Sequence, residues 1–180
     1  MENSFLNWAR ITQAEIAFYQ RIATKAERAR YWALRLLGRP YVLGRENPET
    51  GTDCSGVLSF ALWMLGYNVR MTAHAFAEKI FTRESDGDYE PECLRAVFFK
   101  KNGRYRHVSL QVGRGVIIDA WAEEFPVILK AVAPQIAYYE DSGYEVSWRE
   151  IDWQKLKEVS DAGTEAWDVD PMLKLYRSVT

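Results

Sequence analysis

The stretch GTDCSGVLSFALWMLG, residues 51–66, places a cysteine where a polar loop becomes an apolar helical run. The run from Ser55 to Leu65 is apolar on nearly every side, which is typical of a helix buried in a packed domain. The first turn of a helix offers unpaired N–H groups and the positive end of the helix dipole, so it favours thiolate over thiol. The stretch therefore predicts a buried helix with Cys54 as a nucleophile at its start. The alternative is that Cys54 is only a small buried apolar residue.

Length and composition indicate one globular domain with an extension. The chain has 180 residues, of which 48% are hydrophobic and 14% aromatic, and this is too apolar for a disordered chain. Its net charge of -2 comes from interspersed charges without a basic stripe, so we expect no nucleic-acid partner. We also expect no membrane span, since no segment has about 18 uninterrupted apolar residues, and synthesis in the cytoplasm, since no signal-peptide pattern is visible.

The cysteines and histidines are few, and they limit the chemistry. Cys54 and Cys93 do not lie in a spacing suited to zinc, so we expect free thiols, no metal and no cofactor. Cys93, in EPECLRAV, is expected to be an ordinary buried thiol. His74 lies in the middle of a short predicted helix and is expected to be structural.

The hydrophobic pattern changes from helical to extended near Leu94. Before it, residues 12–38 predict one long amphipathic helix that begins with the capping-box residues Thr12 and Glu15, and a short helix follows in TAHAFAEKI. After it, five runs rich in Val, Ile and aromatic residues predict strands: LRAVFFK, YRHVSLQVG, GVIIDAW, PVILKAV and YEVSWREI. A helix and a tail end the chain. This order predicts an α+β fold with an antiparallel sheet of about five strands. The stretch AYYEDSGYEVSW is expected to be sheet and core, with any exposed rings able to stack on sugars.

A cysteine nucleophile needs a base, and His107 is the best candidate because it opens the strand HVSLQV. If that strand pairs with the next one across the turn at 113–115, Asp119 lies near the imidazole. Asp119 can then accept a hydrogen bond and fix the tautomer of His107, as the third member of a catalytic triad does. The alternative for Asp119 is an ordinary ion pair with Arg104 or Arg106.

These motifs and their order resemble the NlpC family of papain-like cysteine peptidases, bacterial enzymes that cut peptidoglycan stem peptides. The family turn Gly-x-Pro-Tyr-x-x-Gly matches residues 38–44, and Asp-Cys-Ser-Gly matches residues 53–56. The strand start His-Val matches residues 107–108, and the family's polar residue twelve positions after the histidine is Asp119 here. The resemblance implies a papain-like core with N-terminal helices, a catalytic helix and the antiparallel sheet.

The resemblance also implies roles for individual residues. Cys54 would attack the amide carbonyl and form a thioester, with His107 as the base and Asp119 as the residue that orients it. By the same analogy the bond would join D-glutamate to a diamino acid of the peptidoglycan stem, without metal or cofactor.

Four further residues are implied at the substrate and the oxyanion. Tyr41 would place a hydroxyl near the thiolate, and the backbone near Ser55 would form the oxyanion hole, beside Asp53. Arg45 stands where the family usually has a second glycine, and it is a candidate to pair with a stem carboxylate.

The predicted organisation has three parts: an N-terminal helical extension over residues 1–24, the peptidase domain over 25–150, and a C-terminal helix and tail over 151–180. Two other functions are consistent with the sequence, namely a thioester-forming acyltransferase or wall amidase of related fold, and a catalytically silent wall-binding module. Delivery by a phage particle or by a secretion machine would bring such a chain to the cell wall.

Overall fold

A computed structural model describes residues 23–162 of the chain. The described residues form five α-helices: α1 (Lys25–Leu34), α2 (Cys54–Met64), α3 (Ala73–Lys79), α4 (Val132–Asp141) and α5 (Trp153–Asp161). They also form eight strands: β1 (Glu46–Asn47), β2 (Gly51–Thr52), β3 (Arg83–Glu84), β4 (Arg95–Lys101), β5 (Arg104–Gly113), β6 (Val116–Asp119), β7 (Ile128–Ala131) and β8 (Glu145–Glu150). None of the helices in this part of the chain has the length and apolar character needed to cross a membrane. The α+β papain-like fold expected from the sequence is confirmed.

The main sheet has six strands in the order β3-β8-β4-β5-β6-β7, and all its neighbours are antiparallel. Strands β4 to β7 form a meander in chain order, while β8 returns to pair with the other edge of β4. The β4–β5 turn contains Asn102 and Gly103, both at positive φ, which is the geometry that a two-residue hairpin requires.

The two faces of this sheet carry different layers, because side chains alternate along each strand. One face, here called the helical face, buries residues such as Phe98 and Leu110 against α1, α2 and α3. The opposite face, here called the α4 face, buries Val97 and Phe99 together with Tyr139 of α4. Helix α2 lies in the larger of these two cores, and its side chains are buried from Ser55 to Trp63, as its all-round apolar sequence predicts.

A β-bulge interrupts the pairing of β4 and β5. Phe99 pairs with His107 and Lys100 pairs with Tyr105, which leaves Arg106 as the extra residue. The bulge changes the face to which side chains point. Tyr105 contacts Phe98 on the helical face, whereas the His107 ring lies against Phe99 on the α4 face. Without the bulge, residues 105 and 107 would point to the same side.

Three expectations about the elements need correction. Helix α1 begins at Lys25 with Thr24 as its N-cap, where a complete capping box with Glu27 starts a new helix, so one continuous helix over residues 12–38 is wrong. The proposed start at Thr12 and Glu15 lies outside the described residues. The sheet gains a sixth strand, β3, whose two residues are too short to leave a periodic pattern.

The third correction concerns residues 137–148. Residues 137–141 belong to α4 and not to the sheet, while the strand begins only at Glu145. Aromatic and apolar residues in this segment favour a strand, but the buried residues Gln135 and Tyr139 lie one helical turn apart while Tyr138 stays half-exposed. Tertiary packing against the α4 face therefore overrides the local β-propensity.

Candidate active site

The loop before α2 and the first turn of α2 fix the position of Cys54. Asp53 is the N-cap residue, and its Oδ1 accepts hydrogen bonds from the Gly56 N–H at 2.6 Å and from the Ser55 hydroxyl at 2.9 Å. Gly56 packs directly on the loop, since a Cβ there would lie 2.0 Å from the carbonyl oxygen of Arg45. The helix start is thus clamped to the loop, and Cys54 is held at its first position, half-buried and with a free thiol.

The second oxygen of Asp53 joins this helix start to two other segments. Oδ2 accepts from the Gly44 N–H at 2.7 Å and from the Arg70 guanidinium at 2.8 Å. Arg70 also binds the Glu46 carboxylate at 2.8 Å and donates to the Ser55 hydroxyl oxygen. Both oxygens of Asp53 are therefore fully occupied by protein donors, and its carboxylate has no room for a direct contact with substrate. The Ser55 hydroxyl likewise has both an acceptor, Asp53, and a donor, Arg70, within the protein.

The structure brings the second half of the site together on β5 and β6. The His107 Nε2 lies 2.6 Å from Asp119 Oδ1, and both side chains are buried. The imidazole packs beside a stacked pair of rings, with Phe99 at 5.7 Å and Tyr139 at 5.5 Å. Because Nε2 is used by Asp119, the Nδ1 edge of the ring is the one left for Cys54, whose thiol interacts electrostatically with the imidazole.

Three residues that the sequence did not reveal complete the surroundings of Asp119. Ser109 donates to Oδ1 at 2.8 Å, and Lys130 and Gln135 donate to Oδ2 at 2.8 Å and 3.0 Å. The alternative ion pair of Asp119 with Arg104 or Arg106 is wrong, because Lys130 supplies the neighbouring cation. Ser109 had a detectable signal, since it lies two residues after the histidine on the same strand face.

Electrostatics favour a charged histidine beside the thiol. Burial alone lowers the pKa of His107, but the charges of Asp119 and Cys54 and their hydrogen bonds outweigh it and raise the pKa to about 10. Burial likewise raises the pKa of Asp119, but the His107 charge and the Lys130 ammonium outweigh it and lower the pKa to about 2. The site therefore holds an ionised carboxylate and an imidazolium at neutral pH, which is the partner that a thiolate needs.

Tyr41 lies beside the thiol, as the resemblance implies. It is half-buried in the loop before α2 and packs with Cys54 at the edge of the core. Burial, together with the negative charges of Cys54 and Asp53, raises its pKa to about 12. The phenol therefore stays protonated and can donate a hydrogen bond.

An open groove with a volume of about 710 Å³ runs past Cys54. Residues from the loop before α2, from the segment before α3 and from the start of β5 line it: Tyr41, Leu43, Gly44, Asp53, Cys54, Ser55, Arg70, Met71, Thr72, Ala73, Arg104, Tyr105 and Arg106. Arg45 is exposed and is not among these lining residues, and its pairing with a stem carboxylate stays a prediction. Arg104 and Arg106 line the groove instead, on the strand that carries His107.

Cys93 lies in a different environment from Cys54. Burial, followed by the Glu150 carboxylate, raises the pKa of the Cys93 thiol to about 11. It has no imidazole among its interacting groups, so it stays a thiol at neutral pH, as expected for an ordinary cysteine.

Two curated relatives match about half of this chain. The bifunctional muramidase/DL-endopeptidase CwlT of Bacillus subtilis is 37% identical over 97 residues, which cover 49% of this chain and 27% of CwlT. The probable endopeptidase p60 of Listeria grayi is 34% identical over 91 residues, which cover 49% of this chain and 16% of p60. The chain thus matches about a quarter or less of the length of these relatives. No family model matches the chain.

A solved structure shows that the fold is shared over a larger part of the chain. NlpC1 from Trichomonas vaginalis superposes with a TM-score of 0.56 and 26% identity, covering 72% of this chain and 44% of that one.

Proposed function

We propose that this chain, whose sequence and fold are of the NlpC/p60 type, is a cysteine peptidase that hydrolyses peptide bonds of the peptidoglycan stem. The observation that carries the proposal is the arrangement of Cys54, His107 and Asp119. A thiol at a helix start interacts with an imidazole whose other nitrogen lies 2.6 Å from a buried carboxylate, and the groove runs past the thiol. The names of CwlT and p60 support endopeptidase chemistry for relatives of this domain.

The proposed reaction starts from the thiolate of Cys54 and the imidazolium of His107. The thiolate attacks the amide carbonyl and forms a tetrahedral intermediate with a negatively charged oxygen. The N–H groups of Cys54 and Ser55, at the first two positions of α2, have no acceptor within the helix, so they can stabilise this oxygen. His107 then gives its proton to the leaving amine, and a thioester to Cys54 remains.

Hydrolysis completes the cycle. His107, now neutral, takes a proton from a water molecule, and the resulting hydroxide attacks the thioester, whose C–S bond breaks to release the acid product and to restore the Cys54 thiolate beside protonated His107. Asp119 keeps the imidazole in the tautomer that leaves Nδ1 facing the thiol, while Tyr41 donates from its protonated phenol to the substrate or the intermediate.

The bond that we propose joins the side-chain carboxyl of D-glutamate to the amine of a diamino acid. The DL-endopeptidase named in the CwlT description supports this choice. The experiment is digestion of intact sacculi, cross-linked muropeptide dimers and free stem tripeptides, each separately, with the products read by mass spectrometry. New L-alanyl-D-glutamate ends are the expected result, and cleavage between sugar and L-alanine would make the protein an amidase instead.

Matched cysteine variants assign the reaction to the site. Cys54→Ala should abolish cleavage, whereas Cys93→Ala should keep it. Limited alkylation with iodoacetamide near neutral pH should label Cys54 first and stop the reaction in step, because the raised pKa of Cys93 keeps that residue protonated. A chelator should leave the rate unchanged. Full activity of Cys54→Ala would overturn the proposal.

Two other functions would give different results in the same digestion. Transfer of the acyl group to an added amine, without hydrolysis, would indicate an acyltransferase, and binding to sacculi without an acyl-enzyme would indicate a silent wall-binding module. Delivery by a phage particle or a secretion machine stays a prediction, which immunodetection in phage particles and in fractionated cells would test.

A further inference from the structure

The groove beside Cys54 contains three arginines, which differ in how their charge is used. Arg70 binds the carboxylates of Glu46 and Asp53, and it also donates to Ser55 and to a backbone carbonyl. The side chains of Arg104 and Arg106 are exposed, and within residues 23–162 neither guanidinium forms a hydrogen bond or an ion pair with another residue. The groove wall at β5 therefore presents two positive charges that residues 23–162 do not neutralise.

The position of these arginines relative to His107 defines the part of the substrate that they can reach. Arg106 immediately precedes His107 and is the extra residue of the β-bulge. Arg104 lies two residues before Arg106, at the start of the same strand. In the proposed reaction His107 gives its proton to the leaving amine, so the leaving half of the substrate lies on the His107 side of Cys54. Arg104 and Arg106 thus lie beside the leaving half and not beside the acyl half.

We propose that Arg104 and Arg106 form a carboxylate-binding subsite that selects substrates with a free carboxylate on the leaving, diamino-acid half. A guanidinium forms charge-assisted and often paired hydrogen bonds with a carboxylate, and these are stronger than bonds between neutral groups. An amidated group keeps the size of the carboxylate but loses its charge, so the subsite discriminates against it. The proposal rests on the proposed function for the identity of the leaving half.

Cleavage kinetics with two peptides test the subsite. The substrates are L-alanyl-γ-D-glutamyl-diaminopimelate and the same tripeptide with the diaminopimelate carboxyls amidated. We expect kcat/KM for the acidic peptide to be higher by about tenfold, mainly through KM, because the interaction is made in the bound substrate as well as in the transition state. Raising the salt concentration should reduce the difference.

Two variants separate the subsite from general charge effects. The double variant R104Q/R106Q should lose the preference for the acidic peptide. R114Q, which removes one exposed arginine at the β5–β6 turn away from the groove, should behave as the unmodified protein does. Equal KM values for the two peptides, or equal behaviour of R104Q/R106Q and R114Q, would overturn the subsite while leaving the peptidase proposal in place.

A binding measurement distinguishes failure of the subsite from failure of the proposed function. Calorimetric titration of Cys54→Ala with the two peptides requires no cleavage. Tighter binding of the acidic peptide, lost in Cys54→Ala combined with R104Q/R106Q, would support the subsite even if neither peptide were cleaved. Equal binding of both peptides would refute it whatever the cleavage result.

Discussion

Two buried aspartates, Asp53 and Asp119, lie at the two sides of the site and have the same number of donors but use them differently. Each accepts four hydrogen bonds, and the cationic partners are Arg70 for Asp53, and Lys130 and the His107 imidazolium for Asp119. Two donors of Asp53 are backbone N–H groups, which belong to the loop and to the start of α2. All four donors of Asp119 are side chains.

This difference separates two kinds of positioning. By binding backbone N–H groups, Asp53 holds the chain itself in shape, and Cys54 is placed because the helix start is placed. By binding side chains only, Asp119 orients groups on strands that the sheet already fixes, above all the imidazole of His107. We therefore expect loss of Asp53 to act mainly on stability, and loss of Asp119 to act mainly on catalysis.

The largest effect is expected for Asp119→Asn, which keeps the size of the side chain but removes its charge. The value of kcat should fall by about 10²- to 10⁴-fold, because the imidazolium loses its counter-charge and its fixed tautomer. The pKa of His107 should fall as well, so the alkaline limb of kcat/KM should move to lower pH. Steady-state kinetics over a pH series measure both changes, and an unchanged kcat would show that another group orients His107.

The matching change on the other side of the site is Asp53→Asn. It leaves the Arg70 cation with one carboxylate fewer and turns an amide group toward a donor, so the free energy of unfolding should fall by about 3 kcal/mol. Urea denaturation measures this change. Ser55→Ala, which removes one hydroxyl from the same cluster, should cost only about 1 kcal/mol and serves as the control. Equal losses in the two variants would contradict a backbone-shaping role for Asp53.

A smaller effect is expected for Lys130→Met, which tests the cation beside Asp119. Because Lys130 and His107 share the same carboxylate, kcat should fall by about tenfold as Asp119 loses one of its four donors. Loss of a neighbouring positive charge should raise the pKa of His107, so the alkaline limb should move to higher pH, opposite to its shift in Asp119→Asn. Shifts in the same direction for both variants would show that Lys130 does not act through this pair.

The smallest effect concerns the pH dependence of stability. The raised pKa of His107 gives stability that is complete below about pH 6.5 and is lost as pH rises toward 10. The lowered pKa of Asp119 gives stability that is complete above about pH 4 and is lost as pH falls toward 2. The difference in unfolding free energy between the unmodified protein and Asp119→Asn should therefore be largest between these limits. A difference independent of pH would show that the pair is not ionised.

The parts of the site that the sequence predicted are those with a local pattern. The apolar run of α2 after Cys54 predicted the buried helix, and alternation with a Gly-containing turn predicted strands that bring His107 near Asp119. The sequence did not predict Lys130 or Gln135, because their relation to Asp119 depends on how β7 and α4 pack on the sheet. Such contacts leave no periodicity in the chain.

The arginines also show where prediction from sequence motifs ends. Arg45 was assigned to the substrate because of its place after a motif, yet its side chain lies outside the groove lining. Arg104 and Arg106 were considered only as partners for Asp119, although the bulge in β5 brings them to the groove. A single extra residue in a strand cannot be seen in an alternating pattern, because it looks like a strand that ends and restarts.

The extra residue of the bulge, Arg106, shifts the alternation of side chains along strand β5 by one position. Tyr105 follows the alternation before the bulge and points to the helical face. From His107 onward the alternation is shifted, so the imidazole lies on the α4 face, which carries Asp119. A substitution at Arg106 leaves this alternation intact, whereas regular pairing of the same residues without the bulge would turn His107 to the face of Tyr105. The imidazole therefore keeps its place whatever side chain stands at position 106, and that side chain is left to serve the groove alone.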